Sequence, residues 1–498
     1  MLLATRNDNC LTHLVHRQLC SRAISLDHVE LLRRDGLEEL ANVCVRASTD
    51  ASWQALKTPH ALGPIDQTNS PLIPVVTTVV WEASSRIGEL LPFDRLETAL
   101  GRLLDYYPHL TGRLTIDSDG RASIDRLGSG AELGQARASS RLSDCPGSGS
   151  GGRLVLPDLP QAGNFTLSPW KSTIEAVCQG PLVSFQHTRF ACGSVGLGVR
   201  LLHIAADAST TYQILRDLVE ILNALGDGRS ALEVKLPDLQ IESFMSELSK
   251  EDMSDHERRA ALAQTPALFQ HSPPPELVRP TASDEIPRPH IGRILLYTRE
   301  ELAMLKTLAT PPDGSGWVST FSALAAHLYQ CIFRARVSLW AHEGRKGPPS
   351  STLHVPVNVR SRLGLPERYA ANAPLGTTLI LPPEELHEAP LWKVASSVHG
   401  LSRQSAVSER NEIEAALRWA VAAGPAAAKM HFELGDGPLL VTAWQGFGAY
   451  PHLCLDGVRP SIVSQPLSPY LPDGIAFLGS TPQGETGFPL CRLERIAS

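Results

Sequence analysis

A histidine and an aspartate four residues apart, His203 and Asp207, follow directly on the run Ser194-Val-Gly-Leu-Gly-Val-Arg-Leu-Leu202. The pair suits general-base chemistry. An imidazole titrates near 6.5, so at neutral pH it can take a proton from a hydroxyl or amine held within hydrogen-bond reach and make that atom nucleophilic. The aspartate is suited to fixing the loop that carries the base. Spacing alone is weak evidence: with 17 histidines, about one His-x-x-x-Asp match arises by chance, and a second, His452-Leu-Cys-Leu-Asp456, is present. Context separates the two. The residues before His203 are apolar, β-branched and punctuated by glycine, as in a buried strand with close backbone neighbours. After Asp207, Leu215, Leu218, Val219 and Leu222 recur at helical spacing behind serine and threonine start signals. His203 is therefore expected at a strand-to-helix junction, where α/β folds present polar groups to a crevice.

The elements that must position this pair can be read along the chain. Strand-like runs at Leu72 to Trp81, Pro181 to Phe190, Ile291 to Tyr297, Leu353 to Val359 and Leu439 to Trp444 alternate with helix-like ones at Phe93 to Tyr107, Arg299 to Leu308 and Ser319 to Phe333. Such alternation predicts an α/β architecture. In the second element from the amino end, Phe93, Leu96, Leu100, Leu103, Leu104 and Tyr107 trace one apolar face, and Pro108 ends it. Two segments read as breaks: the glycine- and serine-rich Leu142 to Gly152, and a proline-rich stretch from Ser272 to His290, the better domain junction. The expected organisation is an extension over residues 1–42, one domain over 43–230, a crossover linker over 231–290 and a second domain over 291–498.

A chain of 498 residues is too long for one ordinary core. Its net charge of −7 gives no electrostatic reason to expect a nucleic-acid partner or an anionic membrane surface. Nine scattered cysteines without a Cys-x-x-Cys pair favour reduced thiols and a cytoplasmic setting. No apolar run reaches the length of a spanning helix. The first 25 residues hold Arg6, Arg17 and Arg22 against Asp8, a faint likeness to an organellar presequence.

The order of motifs resembles that of the BAHD acyltransferases over nearly everything from Val43 to Glu494. Leu62-Gly-Pro-Ile-Asp66 is similar to the family's early Leu-x-x-x-Asp segment. Phe93-Asp-Arg-Leu followed by Tyr106-Tyr-Pro-His-Leu-Thr-Gly-Arg-Leu114 is similar to its tyrosine-proline turn. The strand Phe190 to Val199 leads into His203 as the family's strand leads into its His-x-x-x-Asp. Ser319-Thr-Phe-Ser-Ala-Leu-Ala-Ala-His327, Val357-Asn-Val-Arg-Ser-Arg362 and Tyr369-Ala-Ala-Asn-Ala373 complete the series. Each piece is loose, but six in the right order are specific. Two departures stand out. Ala208 replaces the glycine that usually follows the motif aspartate, and no ungapped placement restores the family's Asp-Phe-Gly-Trp-Gly around Trp444 to Pro460.

The resemblance implies two chloramphenicol-acetyltransferase-like domains of mixed sheets flanked by helices, with an active-site channel between them, in a fungal-type enzyme of secondary metabolism. It implies transfer of an acyl group from acyl-coenzyme A to a hydroxyl or amine of a small acceptor, O-acylation being the default, with no permanently bound cofactor, no metal and a monomeric chain. His203 would be the base and Asp207 would pair with an arginine, against a solvated helix cap at even odds. Thr442 and Trp444 would contact the oxyanion or acceptor, and Ser319 and Thr320 the coenzyme A. Arg360, Arg362 and Asp456 would be structural. From another class, a non-catalytic relative using the fold to bind a partner is the alternative. A condensation domain of a peptide synthetase is the rival enzyme, although Leu202 stands where those domains usually carry a second histidine.

Overall fold

The run Pro74-Val-Val-Thr-Thr-Val-Val-Trp81 is β-branched at six of its eight positions, and every one of them is buried. A strand covered on both faces belongs inside a sheet. The computed structural model, which describes residues 23–26, 34–84, 88–146, 154–270, 290–428, 438–466, 474–480 and 486–493, places it there. This strand, β4 (Pro74–Trp81), lies in a six-stranded sheet in the order β14 (Ile462–Ser464), β4, β9 (Val195–Leu202), β8 (Val183–Phe190), β7 (Ala131–Ala138) and β2 (Leu37–Val45). All neighbours are antiparallel except β7 and β8. Within β9, Gly198 must be glycine: a Cβ there would come within 2.0 Å of the Thr166 carbonyl oxygen.

A second sheet has seven strands in the order β1 (Ala23–Leu26), β10 (His290–Tyr297), β16 (Thr486–Leu493), β15 (Ile475–Ser480), β13 (Leu439–Ala443), β11 (Thr352–Asn358) and β12 (Pro374–Ile380). Here β13 runs parallel to both β11 and β15. A small third sheet joins β3 (His60–Ala61), β6 (Ala122–Asp125) and β5 (Arg113–Ile116). The mixed sheets and flanking helices are the expected α/β fold.

Among the helices are α1 (Pro64–Gln67), α2 (Phe93–Tyr106), α3 (Ala208–Gly226), α4 (Asp255–Leu262), α5 (Arg299–Leu308), α6 (Thr320–His342) and α7 (Leu391–Leu401). Their apolar stripes meet the sheets: Leu96, Leu100, Leu103 and Leu104 of α2 share one core with Leu215, Leu218 and Leu222 of α3.

The sheets do not keep to the two halves of the chain. Strand β14 comes from beyond β13 yet pairs with β4, whereas β1 pairs with β10. Of the described parts of the expected extension, 23–26 and 37–42 are therefore strand, and only 34–36 are not. The expected crossover contains α4 and a bridge from Gln240 to Tyr369, so it is packed against the second half. Its proline-rich part, 272–289, and most of the glycine- and serine-rich loop, from 147 on, lie outside the described residues.

Three buried histidines give a first expected outcome. Burial pushes His109 down to about 3, helped by neighbouring His60; it pushes His187 and His327 down to about 4, with Arg189 and Arg334 acting the same way. Their folded values lie below the ordinary 6.5, so the unfolded chain binds more protons and stability is lost as pH falls from above 6.5 towards 4. Each contributes up to about 1.4 kcal/mol per pH unit in that window. Asp66, raised by burial to about 6, has the opposite sign, one group against three. Thermal melts from pH 7.5 to pH 4.5 should show a falling midpoint; a flat profile contradicts the buried, neutral state of these rings.

Candidate active site

Leu202 is the last ladder residue of β9, paired with Pro74 at the start of β4. The backbone then folds back on itself, Ala205 N donating to Leu202 O at 2.9 Å, and enters α3 at Ala208. His203 sits in this turn, half-buried. Burial lowers its basicity below the ordinary histidine value, partly offset by its own backbone carbonyl, Asp207 and Asn372. It is thus neutral at pH 7 rather than an imidazolium.

Asp207 pairs with an arginine and also caps a helix, but as a buried residue rather than a solvated one. Its Oδ1 caps α3 by accepting the Thr210 amide at 2.9 Å, and the same oxygen accepts Arg360 Nη2 at 3.0 Å. Its Oδ2 accepts Arg360 Nη1 at 2.8 Å and the Ala373 amide at 3.1 Å. Both side chains are buried, Asp207 at 4% and Arg360 at 8% exposure. Burial pushes the Asp207 carboxyl upward, but the Arg360 guanidinium and the backbone donors outweigh it and hold it below the usual carboxylate range. Asp207 is extended, at φ −95° and ψ −178°, and Ala208 opens the helix, so no left-handed residue is needed where the family has glycine.

Arg360 also donates to the carbonyl of Ala371 at 2.8 Å and to Thr210 Oγ1 at 3.2 Å. The clamp thereby joins the β9–α3 turn of the first sheet to the segment after β11 of the second. A parallel clasp lies farther along α3. Asp217 accepts both terminal nitrogens of Arg368, at 3.0 and 2.9 Å, together with the Tyr107 hydroxyl at 2.6 Å and Gln213 Nε2 at 2.8 Å.

Trp444 packs edge-on against Tyr212 of α3 at 5.8 Å between ring centroids, and its Nε1 donates to Thr442 Oγ1 at 3.2 Å. Trp444 therefore reaches the helix that starts at the His203 turn and carries Thr442 at its indole nitrogen. Ser319 caps α6 through Ser322 N, and the Ser322 hydroxyl meets His399 Nδ1 at 3.2 Å; Thr320 is exposed. Arg362 donates its Nη2 to the Ser402 carbonyl at 2.9 Å, apart from the Asp207 clamp. Asp456 pairs with Arg95 of α2 at 2.5 Å, while its amide donates to Asn223 of α3, so the altered motif ties a returning segment to the first half. His452 is exposed on a one-turn helix.

Two residues at the site had no role assigned from the sequence. Asn372 Nδ2 donates to the backbone carbonyl of His203 at 2.9 Å and to Asp66 Oδ1 at 2.9 Å. Both stand in segments that carried the family resemblance, Tyr369 to Ala373 and Leu62 to Asp66. That these motifs are far apart in sequence yet alike in kind was the available signal. No local periodicity brings them together.

A family model described as "Transferase family" matches residues 48–451. The chain is 27% identical over 306 residues to hydroxycinnamoyl-CoA:piscidic acid hydroxycinnamoyltransferase of Actaea racemosa, covering 60% of each protein. It is 26% identical over 311 residues to shikimate O-hydroxycinnamoyltransferase of Nicotiana tabacum, covering 61% of this chain and 63% of that one. It thus spans less than two thirds of the length of these two relatives. Putrescine hydroxycinnamoyltransferase 1 of Oryza sativa subsp. japonica is 27% identical over 369 residues, 72% of this chain and 74% of that protein. Among solved structures, vinorine synthase superposes with a TM-score of 0.62 at 17% identity, covering 92% of this chain and 95% of that one. F. sporotrichioides TRI101 complexed with coenzyme A and T-2 gives a TM-score of 0.58 at 19% identity, covering 87% and 95%. At such identities the structural likeness speaks for the fold, while the family model speaks for descent: the chain belongs to the Transferase family, that of the BAHD acyltransferases.

Proposed function

We propose that this protein transfers an acyl group from acyl-coenzyme A to a small-molecule acceptor, with His203 as general base. The supporting observation is the half-buried, neutral imidazole held in a turn whose backbone is clamped by Asp207, Arg360 and Asn372. His203 takes the proton of the acceptor hydroxyl as its oxygen attacks the thioester carbonyl. The tetrahedral adduct collapses with rupture of the carbon–sulfur bond, and the imidazolium returns the proton to the departing thiolate, giving ester and free coenzyme A. No acyl-enzyme is required. Thr442, with the Trp444 indole beside it, is the candidate contact for the developing oxyanion. The exposed first turn of α6 at Thr320 is the candidate contact for the coenzyme, since a helix start suits phosphate and Ser319 is already engaged by Ser322.

An alcohol is the favoured acceptor. A free alkylamine is cationic at neutral pH, and the carboxylates of Asp207 and of Asp66, which is bonded to Asn372, are already satisfied by other donors. Relatives named for shikimate and for putrescine make the comparison of alcohols with amines the natural screen. Thermal melts of the full chain with acetyl-, malonyl-, benzoyl- and hydroxycinnamoyl-coenzyme A test the reading directly. A donor present at a hundred times its Kd adds about 2.7 kcal/mol to folded-state stability. At least one should raise the midpoint and release free thiol when alcohols are added. Silence from all four donors would favour a partner-binding protein instead.

A further inference from the structure

Strand β13 has two faces, and the core of the second half uses only one of them. In the register of β13 with β15, Leu440 stands beside Ile475, Val441 beside Ala476, Thr442 beside Phe477 and Ala443 beside Leu478. Side chains alternate across a strand, so each such pair shares a face. Leu439, Val441, Ala476 and Leu478 belong to the core of the second half. Leu440 and Ile475 turn the other way and form a small separate cluster, with Phe477 and Ile73 packed against it. Thr442 lies on that second face, with Leu440 along its own strand and Phe477 across from it.

Ile73 ties this face to the base. The last rung of the ladder between β4 and β9, Pro74 with Leu202, is followed by Ile73 on one strand and by His203 on the other. At the other end of the face, Phe477 meets Trp444 edge-on at 5.6 Å between ring centroids, and the Trp444 indole donates to Thr442 Oγ1 at 3.2 Å. The candidate oxyanion contact is thus bordered by Leu440, Ile475, Phe477 and Trp444. Leu440 and Ile475 are 8% and 3% exposed, whereas Thr442 and Phe477 are only half-buried, so the wall is accessible at those two.

No side chain of this wall carries a charge. The arginines that reach the neighbouring segments are engaged: Arg216 donates to the Phe447 carbonyl at 3.1 Å and to Gln213 Oε1 at 2.8 Å, Arg360 holds Asp207, and Arg368 holds Asp217. An acyl carbon held at Thr442 carries its chain onto hydrocarbon whichever way it runs along β13, towards Leu440 or towards Trp444. A benzoyl ring or an alkyl chain gains by leaving water there. A malonyl carboxylate would lose its hydration with no counter-charge to meet it. We propose that the face formed by Leu440, Ile475, Phe477 and Trp444, closed by Ile73, is the acyl pocket, that it selects uncharged, apolar acyl groups over dicarboxylic ones, and that Phe477 sets the choice. The inference rests on acyl-coenzyme A as the donor and concerns which acyl group is taken.

Isothermal titration of the full chain with acetyl-, benzoyl- and malonyl-coenzyme A, without acceptor, isolates the acyl group, because the three donors share the whole nucleotide arm. Benzoyl-coenzyme A should bind at least about a hundredfold more tightly than malonyl-coenzyme A. Phe477→Ala should lower the benzoyl-to-acetyl affinity ratio about tenfold, and Phe477→Arg, by supplying the missing counter-charge, should reverse the order of benzoyl and malonyl. Malonyl bound as tightly as benzoyl in wild type, a comparison that needs no variant to fold, overturns the proposal; so do ratios that neither variant moves. If no thioester binds, acetyl included, the acyltransferase reading falls and the pocket with it. If all three bind alike, that reading stands and the pocket alone is refuted.

Discussion

His203→Ala should lower acyl transfer by at least about a hundredfold while the protein melts within a degree or two of wild type. The magnitude follows from the role. A positioned base contributes about 10² to 10⁴ to the rate, with orientation and oxyanion contacts supplying the rest. The stability side follows from the site: the ring is half-buried, and the hydrogen bond that holds the turn is made by the residue's backbone carbonyl, which alanine retains. In wild type, kcat/KM should fall on the acid side with a midpoint below 6.5, since burial lowers the basicity of this imidazole and the protonated ring cannot accept. That acid limb should disappear from any residual activity of the variant. Equal activity in His203→Ala rules out the base assignment.

Asp207→Asn and Arg360→Met should each destabilise the fold by about 3–5 kcal/mol, because each leaves one charged or polar member of a buried pair without its partner. Denaturant titration should show the two losses to be strongly non-additive. The double variant removes both ends of the pair and should lose much less than the sum. The Asp207 carboxyl, held below its ordinary value, adds stability that is present above about pH 4 and lost as pH falls through the lower folded value. Activity should fall with soluble yield in both single variants, in contrast to His203→Ala. Additive losses, or single variants as stable as wild type, would show that the clamp is not what holds the turn.

What could be read from residue order, and what could not, divides by sequence distance. The expected helix from Arg299 to Leu308 is α5 to the residue, and the strand expectations at Leu72, Pro181, Ile291, Leu353 and Leu439 correspond to β4, β8, β10, β11 and β13. Hydrophobic periodicity is a local signal, and these elements bury one face or two. The helix from Ser319 was expected to end near Phe333 but runs to His342. Its last turns carry Arg334, Arg336 and Ser338, where the apolar stripe fades, and Arg336 is drawn down by the carbonyl of Pro438, a partner 102 positions away. The four-residue β1 is set by pairing with β10 across the whole first half, which no window could detect.

The site behaves in the same way. His203 and Asp207 were readable because four positions and a strand-to-helix switch contain them. Arg360 was named, but its choice of Asp207 over another carboxylate spans 153 positions. Arg362, of the same type two residues on, faces a carbonyl instead, because the chain has turned beyond β11. Asn372 and Asp66 meet across 306 positions. Their motifs could be recognised while their purpose stayed hidden, since a hydrogen bond to a backbone carbonyl leaves no trace in residue spacing.

The exchange of β14 and β1 between the sheets makes each half a lender and a borrower. Cutting the chain between residues 270 and 290 would leave a first piece that keeps β1 but lacks its own edge strand, and a second that holds that strand as surplus. The Arg95 contact with Asp456 and the Trp81 indole bond to the Leu453 carbonyl would be severed with it. Neither piece is a transplantable module. Recombination that swaps one half of such an interwoven body must carry the other's strand along.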